Sequence, residues 1–314
     1  MGDVVHALPL AVDIAHAVPE AQIDWLCEEA FAAIPAMSRH IGRVHRVALR
    51  RWRQRPFDPA VWREVRIAKS ALRDARYDLV LDVQGLAKSA WLARWTGAPV
   101  AGFDSATARE SIAAHFYQRS FEVPRSLHAI ERCRRLGAAA LGYAVTGAPR
   151  FGLASNAELK ASGGVPTAVL LVNASRATKL WDSERWVAVE RWLADQGLGS
   201  VLFCGSADER LRSDSLAARM QRAAVSPPAT LATIAATLAT ASIVIGLDTG
   251  LTHLAAALGR PTVGIFCDYD PALVGLTGDA DAGNLVASVG SATAAPAARE
   301  VIDAAARVMS LPQR

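Results

Sequence analysis

Short apolar or β-branched runs alternate with stretches of helical periodicity along most of the chain, the pattern of parallel strands joined by helices. In the first half, runs at 21–27 (AQIDWLC), 44–49 (VHRVAL), 78–83 and 98–103 (APVAGF) predict strands, and 4–17, 59–75, 87–96 and 126–142 predict helices. The second half repeats the rhythm. Strands are predicted at 168–173 (AVLLVN), 200–204, 242–246 (SIVIG), 261–266 (PTVGIF) and 284–288, with helices at 183–196, 207–222, 229–240, 250–258 and 296–309. Between the halves, "TGAPRFGLASNAELKASGGVPT" is rich in Gly, Pro, Ser and Ala and marks a domain boundary, giving units of 1–152 and 153–314. The fold class is therefore α/β, with two doubly wound domains expected to face each other across a cleft. In such sheets ligands gather at the carboxyl ends of the strands, near the switch in strand order.

Two local patterns add expectations. Val4, Val5, Leu8, Leu10, Ala11 and Ile14 follow Gly2-Asp3 at helical spacing and predict an amphipathic helix behind a tight loop, a junction that normally follows a buried strand. Trp91 and Trp95, four residues apart, read as a core pair.

Composition narrows the class. With 314 residues, 52% of them apolar, each half can bury a sizeable core. No run approaches the roughly 18 uncharged apolar residues of a membrane span, and the first residues lack a basic-then-apolar leader pattern, so a soluble cytoplasmic protein is expected. Cys27, Cys133, Cys204 and Cys267 are far apart and match no zinc spacing, which predicts free thiols. Net charge is only +4, but Arg43, Arg46, Arg50, Arg51, Arg53 and Arg55 crowd one stretch, and Arg125, Arg132, Arg134 and Arg135 another. Both lie in the first half. They suit nucleic acid, a phospholipid surface or a phosphorylated substrate, or else a plainly solvated surface.

Candidate chemistry sits in loops after strands. In "GLDTGLTHLAAALGRPTVGIF" (246–266), Asp248, Thr249, Gly250, Leu251, Thr252 and His253 gather at a predicted helix N-terminus, where backbone amides and the macrodipole favour an anion. Asp248 alone reads better as a helix cap, whereas the group taken together favours phosphate binding. In "LLVNASRATKLW" (170–181), Ser175, Thr178 and Lys179 offer hydroxyls and an ammonium for a phosphate-bearing ligand. In "LFCGSADER" (202–210), Glu209 suits either a ribose contact or the first turn of a helix. "DVQGLAKSAW" (82–91) carries Lys88 toward an anionic acceptor or into water. The chain has no GxSxG, P-loop, HExxH or GxGxxG motif, which removes support for serine hydrolysis, kinase-type chemistry and hydride transfer.

The stretches "MGDVVHALP", "IDWLCEEAFAAIP", "RRWRQ", "DVQGLAKSA", "TARE", "FYQR", "HAIERCRRLGAAALGY", "KLWDSERW" and "GLDTGLTHLAAALGRPT" together resemble the lipopolysaccharide heptosyltransferases of glycosyltransferase family nine. The "DWxxEEAF" and "RRWR" segments point to the heptosyltransferase I branch, and the resemblance runs over nearly the whole chain.

That resemblance implies a GT-B fold of two Rossmann-like domains, the C-terminal one holding ADP-L-glycero-β-D-manno-heptose and the N-terminal one Kdo-lipid A. It implies transfer of heptose to the 5-hydroxyl of the first Kdo with inversion, no metal or cofactor, and no nucleic-acid partner. A monomer peripheral to the cytoplasmic face of the inner membrane is expected. Matched motif to motif, Asp3 falls on the catalytic base, and Lys179 faces the donor phosphates with Ser175 in the same loop. Glu209 falls on the ribose contact and Asp248 to His253 on the phosphate and heptose loop. Arg50, Arg51 and Arg53 fall on acceptor positions, with Lys88, Arg109 and Arg132 assisting. The family begins with a short buried strand and a Ser-containing loop before Gly-Asp, so this chain is expected to lack the first strand of its N-terminal sheet. "FCDYDP" (266–271) departs from the family's usual turn and leaves Asp270 unassigned. The competing readings are a heptosyltransferase II-like enzyme with another acceptor, a truncated non-catalytic ADP-sugar binder, a GT-B epimerase and a nucleic-acid binder.

Overall fold

In the computed structural model, which describes residues 1–153 and 166–310, the chain divides by compactness into His6–Gly147 and a second unit made of Met1–Val5 with Ala148–Arg314. Most of the Gly- and Ser-rich stretch expected to separate the domains, 154–165, lies outside the described residues.

The first unit carries α1 (Gly2–Ala17, its first turn counted with the second unit), β1 (Trp25–Glu28), β2 (Val44–Val47), α2 (Leu49–Gln54) and α3 (Pro59–Asp74). It continues with β3 (Val80–Asp82), α4 (Ala87–Ala93), β4 (Val100–Phe103), β5 (Arg119–Phe121) and α5 (Ala129–Leu141). Its strands form two parallel ladders, β1–β2 and β3–β4–β5. The α1 residues Ala7, Leu10 and Ile14 pack against Ile23 and Trp25 at one ladder and Leu81 and Val83 at the other.

This corrects one expectation. The helix is not amphipathic with a wet face, because every residue from Val5 to Val12 is buried. A helix apolar all round is a central helix. Its polar anchor is Asp13, which takes a two-pronged bond from Arg134 of α5 (Nε–Oδ2 2.7 Å, Nη2–Oδ1 3.0 Å), while the same guanidinium donates to the carbonyls of Thr146 and Gly147. The Trp pair is also split: Trp95 is buried, but Trp91 is 49% exposed and meets it edge to face at 4.8 Å. Edge-to-face geometry lets one ring cover the other while keeping its own outer face in water.

The second unit carries β6 (Thr167–Leu171), α6 (Ser183–Asp195), β7 (Gly199–Leu202), α7 (Ala207–Ala217), β8 (Ala223–Val225) and α8 (Leu231–Thr240). Then come β9 (Ile243–Leu247), α9 (Gly250–Ala257), β10 (Thr262–Phe266), α10 (Pro271–Val274), β11 (Val286–Gly290) and α11 (Ala298–Ser310). All six strands are parallel, in the order β11-β10-β9-β6-β7-β8. One face is sealed by Trp186, Val189 and Leu193 of α6 and by Val301, Ala304, Ala305 and Val308 of α11. Short β8 is held at the sheet edge partly by Glu190, a fully buried carboxylate that accepts from Gln221 N (2.8 Å) and Arg222 N (2.7 Å). The chain runs outward from β6 through β7 and β8, then returns to lay β9 on the other side of β6. The switch in strand order therefore falls between β6 and β9.

The Arg134 guanidinium is 4% exposed, so removing its partner strands a buried charge. Asp13→Ala is expected to cost about 3 to 5 kcal/mol of stability, read as a lowered denaturation midpoint with an unchanged slope; a loss below about 1 kcal/mol, the level of a surface pair, would refute the anchoring role.

Candidate active site

The two loops at the switch point meet. β6 runs into the loop that carries Lys179, and β9 into the one that carries Asp248. The Lys179 ammonium donates to a carboxylate oxygen of Asp248, Oδ2, and to its backbone carbonyl at 3.1 Å. The other carboxylate oxygen, Oδ1, lies 3.2 Å from His253 Nε2, one turn into α9. Burial alone would push the Asp248 carboxyl up, but bonds from His253 and Lys179 outweigh it and hold the group down at about 2. Asp248 is thus ionised, and His253 presents an Nε2–H to it.

Asp248 therefore does not cap α9, and neither does Thr249, whose side chain makes no cap bond. Thr249 Oγ1 instead lies 3.1 Å from Thr252 Oγ1, and the Thr252 hydroxyl donates to Leu247 O at 2.6 Å. Thr252 is fully buried, so it holds the turn from within. Gly246 makes this possible: a Cβ there would stand 2.4 Å from Thr252 Oγ1. The outcome is a helix N-terminus without a capping side chain at Thr249, with Gly250 and Leu251 partly accessible in its first turn. Backbone amides presented this way suit an anion.

Two neighbouring clamps steady the site. Thr178 Oγ1 donates to Asp268 Oδ2 at 2.6 Å and Arg176 pairs with the same carboxylate at 3.2 Å, which ties the Lys179 loop to the turn after β10. Asn173 donates to Phe203 O and Ser213 Oγ, both at 3.0 Å, and accepts from Arg212 Nη1 at 3.1 Å. Sequence reasoning passed over Asp268 and Asn173, although each stands directly after a strand, the position that selected the other candidates. Asp270 caps α10 through Ala272 N. Ser175 is exposed in its loop. Glu209 accepts from Gly205 N (2.6 Å) while Ser206 Oγ, the cap of α7, accepts from Glu209 N (3.2 Å), and these two bonds keep the carboxylate at the tip of the loop after β7.

Asp3 lies exposed in the first turn of α1, within the segment Met1–Val5 that belongs to this same unit. A Cβ on Gly250 would fall 2.5 Å from Met1 Cβ and 2.8 Å from Gly2 N. The start of α1 thus packs on the first residue of α9, and glycine is needed for that approach.

In the first unit the candidate cations divide. Arg51 is taken by Glu29 (3.2 Å) and Glu64 (2.9 Å), and its charge is already matched. Arg50 lies over the Phe31 ring at 5.6 Å, and Arg53 is exposed. Glu28 receives Leu49 N and Arg50 N, both at 3.2 Å, and so closes α2 from outside. The "EEAF" segment is the counter-charge and cap of the "RRWR" segment, a pairing separated by some twenty positions and invisible to spacing.

Lys88, Arg109 and Arg132 belong to a second group. Gly85, at φ +66°, turns the loop after β3 so that its carbonyl receives Glu110 N at 3.0 Å, and the Glu110 carboxylate receives Ala87 N at 2.7 Å. Those two bonds lace the Lys88 loop to the Arg109 loop. Asp82 supports the turn from beneath, accepting from Gln84 N (3.0 Å), Ser89 Oγ (2.8 Å) and Tyr117 OH (2.7 Å), with burial pushing its carboxyl up. Arg132 donates to Thr107 O at 2.6 Å and lies 4.5 Å over the Phe103 ring; Arg125 donates to the carbonyls of Thr107 and Ala108. Burial first, then repulsion from Arg109 and Arg125, lowers the Arg132 guanidinium from its usual value, against a pull from Cys133. Arg125 is the member of this group that the site assignment missed.

Among known proteins, the model of Glycosyltransferase family 9 (heptosyltransferase) matches residues 65–295. Lipopolysaccharide heptosyltransferase 1 of Pseudomonas aeruginosa is 42% identical over 280 residues, covering 88% of this chain and 79% of that protein. The protein of the same name from Escherichia coli K12 is 38% identical over 279 residues, covering 88% and 87%. The solved structure of E. coli heptosyltransferase WaaC with ADP superposes with a TM-score of 0.88 at 34% identity, covering 98% of this chain and 97% of that one. E. coli ADP-heptose lps heptosyltransferase II, at 17% identity and a TM-score of 0.74 over 98% and 95%, shares the fold. The α/β GT-B class expected from the sequence holds.

The Asp248 carboxyl stands at about 2 against an ordinary 3.8, so its stabilising contribution is present above pH 4 and is lost as pH falls through 2. Asp248→Asn is expected to be less stable by roughly 2 kcal/mol at pH 6, with the gap closing between pH 4 and pH 2 in denaturant melts at fixed pH. An equal gap at pH 2 and pH 6 would mean that the ionised pair is not what the substitution removes.

Proposed function

The chain belongs to glycosyltransferase family 9, and from that premise we propose that it transfers heptose from ADP-L-glycero-β-D-manno-heptose to the 5-hydroxyl of the first Kdo of Kdo-lipid A, with inversion, in lipopolysaccharide inner-core synthesis. The observation that carries the reading is the meeting at Gly250 of three parts: the loop 248–253 opening α9, Lys179 on its carboxylate, and the first turn of α1 with Asp3. The named similarities to heptosyltransferase 1 proteins, and to a structure holding ADP, support it.

An inverting displacement needs one base and one leaving-group clamp. Asp3 is the base: exposed at a helix start, its carboxylate takes the proton of the acceptor hydroxyl as the oxygen attacks the anomeric carbon. Departure of ADP leaves charge on a phosphate oxygen, which the amides opening α9 and the Lys179 ammonium stabilise. Lys179 reaches that role by sharing itself between Asp248 and the diphosphate, while His253 keeps the Asp248 carboxylate in place. Glu209 takes the ribose hydroxyls, and Ser175 joins the phosphate contacts. The domain assignment follows: 153–314 takes the donor and 1–152 the acceptor, whose anionic groups meet Arg50, Arg53, Lys88, Arg109 and Arg132, with Arg51 shaping the site through its two glutamates. A lipid acceptor puts the enzyme, as a monomer, at the cytoplasmic face of the inner membrane. Among the described residues no helix is long and apolar enough to cross one.

ADP release from ADP-heptose with Kdo-lipid A tests the reading. Asp3→Ala is expected to lower kcat by about 10²- to 10⁴-fold with donor binding retained. Lys179→Ala is expected to lower kcat and weaken donor binding together, while Arg109→Ala raises KM for the acceptor alone. No ADP release by the folded wild type, or an Asp3→Ala variant within twofold of it, would overturn the proposal.

A further inference from the structure

The turn between α2 and α3 shows an apolar group where folding gives no reason for one. Phe57 is 93% exposed and Trp62 57% exposed. Neither sits on a loose segment. Arg55 N bonds Trp52 O and Asp58 N bonds Arg55 O, both at 3.2 Å, Asp58 caps α3 through Ala60 N at 2.8 Å, and Trp62 Nε1 donates to Pro56 O at 2.9 Å. That last bond fixes the indole over the turn that presents Phe57. Beneath, Trp52, Val61 and Leu72 are packed into one buried cluster with Val47, so the whole hairpin is anchored. A rigid, fully wet phenyl ring stabilises nothing in the isolated protein, because its apolar surface stays in water.

Charge says what covers it. Residues 49–74 hold eight basic side chains (Arg50, Arg51, Arg53, Arg55, Arg63, Arg66, Lys69 and Arg73) against three acidic ones (Asp58, Glu64 and Asp74), a net +5. The whole chain is +4, so everything outside this segment sums to −1. The acids are turned to internal use: Asp58 caps its helix, Glu64 accepts from Arg51 and Trp52, and Asp74 accepts from Ser70. Arg53, Arg55, Arg63 and Arg66 are exposed. A second copy of this chain would bring +5 against +5, which repels. An extended anionic surface with an apolar layer beneath it satisfies both halves of the pattern, since aromatic rings settle at the headgroup boundary and arginines pair with phosphates.

We infer that the α2–α3 turn is the membrane-docking element of this enzyme, seating Phe57 and Trp62 in the interfacial layer of an anionic bilayer while Arg55, Arg63 and Arg66 contact headgroup phosphates. The inference deepens the lipid-acceptor reading and rests on it for the identity of the surface. Docking here would hold the neighbouring Arg50 and Arg53 at headgroup level, where the acceptor's own phosphates lie.

Sedimentation of the full chain with phosphatidylcholine vesicles, with and without about 30 mol% phosphatidylglycerol to supply an anionic surface potential, tests it. Wild type is expected to partition to the anionic vesicles and to leave them at high salt. Phe57→Ser is expected to weaken partitioning by about tenfold, the equivalent of burying one aromatic side chain. Arg55→Glu and Arg63→Glu are each expected to weaken it by about fivefold or more, the equivalent of ~1 kcal/mol per basic residue at such a surface. Arg299→Glu, an equal charge change at a site 84% exposed on α11, is expected to leave partitioning unchanged. Unaltered partitioning in the three turn variants, equal losses in Arg299→Glu, or a concentration-dependent dimer that Phe57→Ser abolishes would each overturn the inference. Heptose transfer to a detergent-dispersed Kdo-lipid A, with no bilayer present, separates this from the catalytic reading: Phe57→Ser is expected to match wild type there, and if wild type itself releases no ADP there, the catalytic reading falls whatever the vesicles show.

Discussion

One carboxylate organises the loops of the second unit. Asp248 is offered a poor environment, since burial raises the cost of its charge, and it remains ionised only because Lys179 arrives from the loop after β6 and His253 from the first turns of α9. Strand order makes this possible, because β6 and β9 are adjacent in the sheet although the chain passes through β7 and β8 between them. The Lys179 loop is then clamped a second time at Asp268, after β10. Three loops from three neighbouring strands are thereby fixed by side-chain electrostatics at the edge where the sheet presents them. With the carboxylate taken up this way, Asp248 is drawn away from capping α9, whose N-cap Thr249 makes no side-chain cap bond. An anion that binds there enters a site whose cation is already oriented, so little ordering is left to be done on binding.

The first unit handles positive charge differently. Some of its arginines are structural: Arg134 is sunk between Asp13 and two carbonyls, and Arg51 bridges two glutamates. Arg132 and Arg125 are held instead by uncharged groups. Arg132 rests on a ring and a carbonyl, Arg125 on two carbonyls, and Arg109 adds to the repulsion felt by Arg132. Crowding like charges costs stability, and the Asp82 network and the Glu110 lacing supply the rigidity that keeps the loops from spreading apart. In the proposed reaction, the two substrates meet different designs, a cation paired with a carboxylate for the donor diphosphate and arginines resting on carbonyls and a ring for the acceptor.

The alternation of strands and helices was legible because parallel strands buried on both faces read as unbroken apolar runs; β9 (IVIGL) and β10 (TVGIF) are buried at every position. The elements that escaped were those without such a signal. β5 (RSF) and β8 (AAV) are three-residue edge strands with no fully buried position, and α2 (LRRWRQ) is half arginine and held in shape by Glu28 from another element. The α1 helix was located, yet its environment was misjudged: apolar spacing on one side implied a wet face, whereas His6, Ala7 and Pro9 on the other sides are buried too. The 248–253 loop was visible as a helix N-terminus after a strand. Its arrangement was not, because the partner that decides what Asp248 does is 69 residues away, and local reasoning offered only a cap.

A similar limit explains why the arginine-rich stretch looked uniform. Six arginines in 43–55 suggested one anionic partner, but spacing could not show that Glu28, Glu29 and Glu64 fold onto part of the cluster and leave the rest outward. Once those carboxylates are assigned, the residual charge is concentrated on α2, the turn and α3, around a phenyl ring that packing does not explain. Uncompensated charge and unburied apolar surface are each unfavourable in water, and each is relieved by a different layer of the same kind of surface. Their coincidence on one rigid turn is more informative than either alone. A solvated charge patch would not need the ring, and an apolar protein interface would not tolerate four exposed arginines around it without matching acids on the partner.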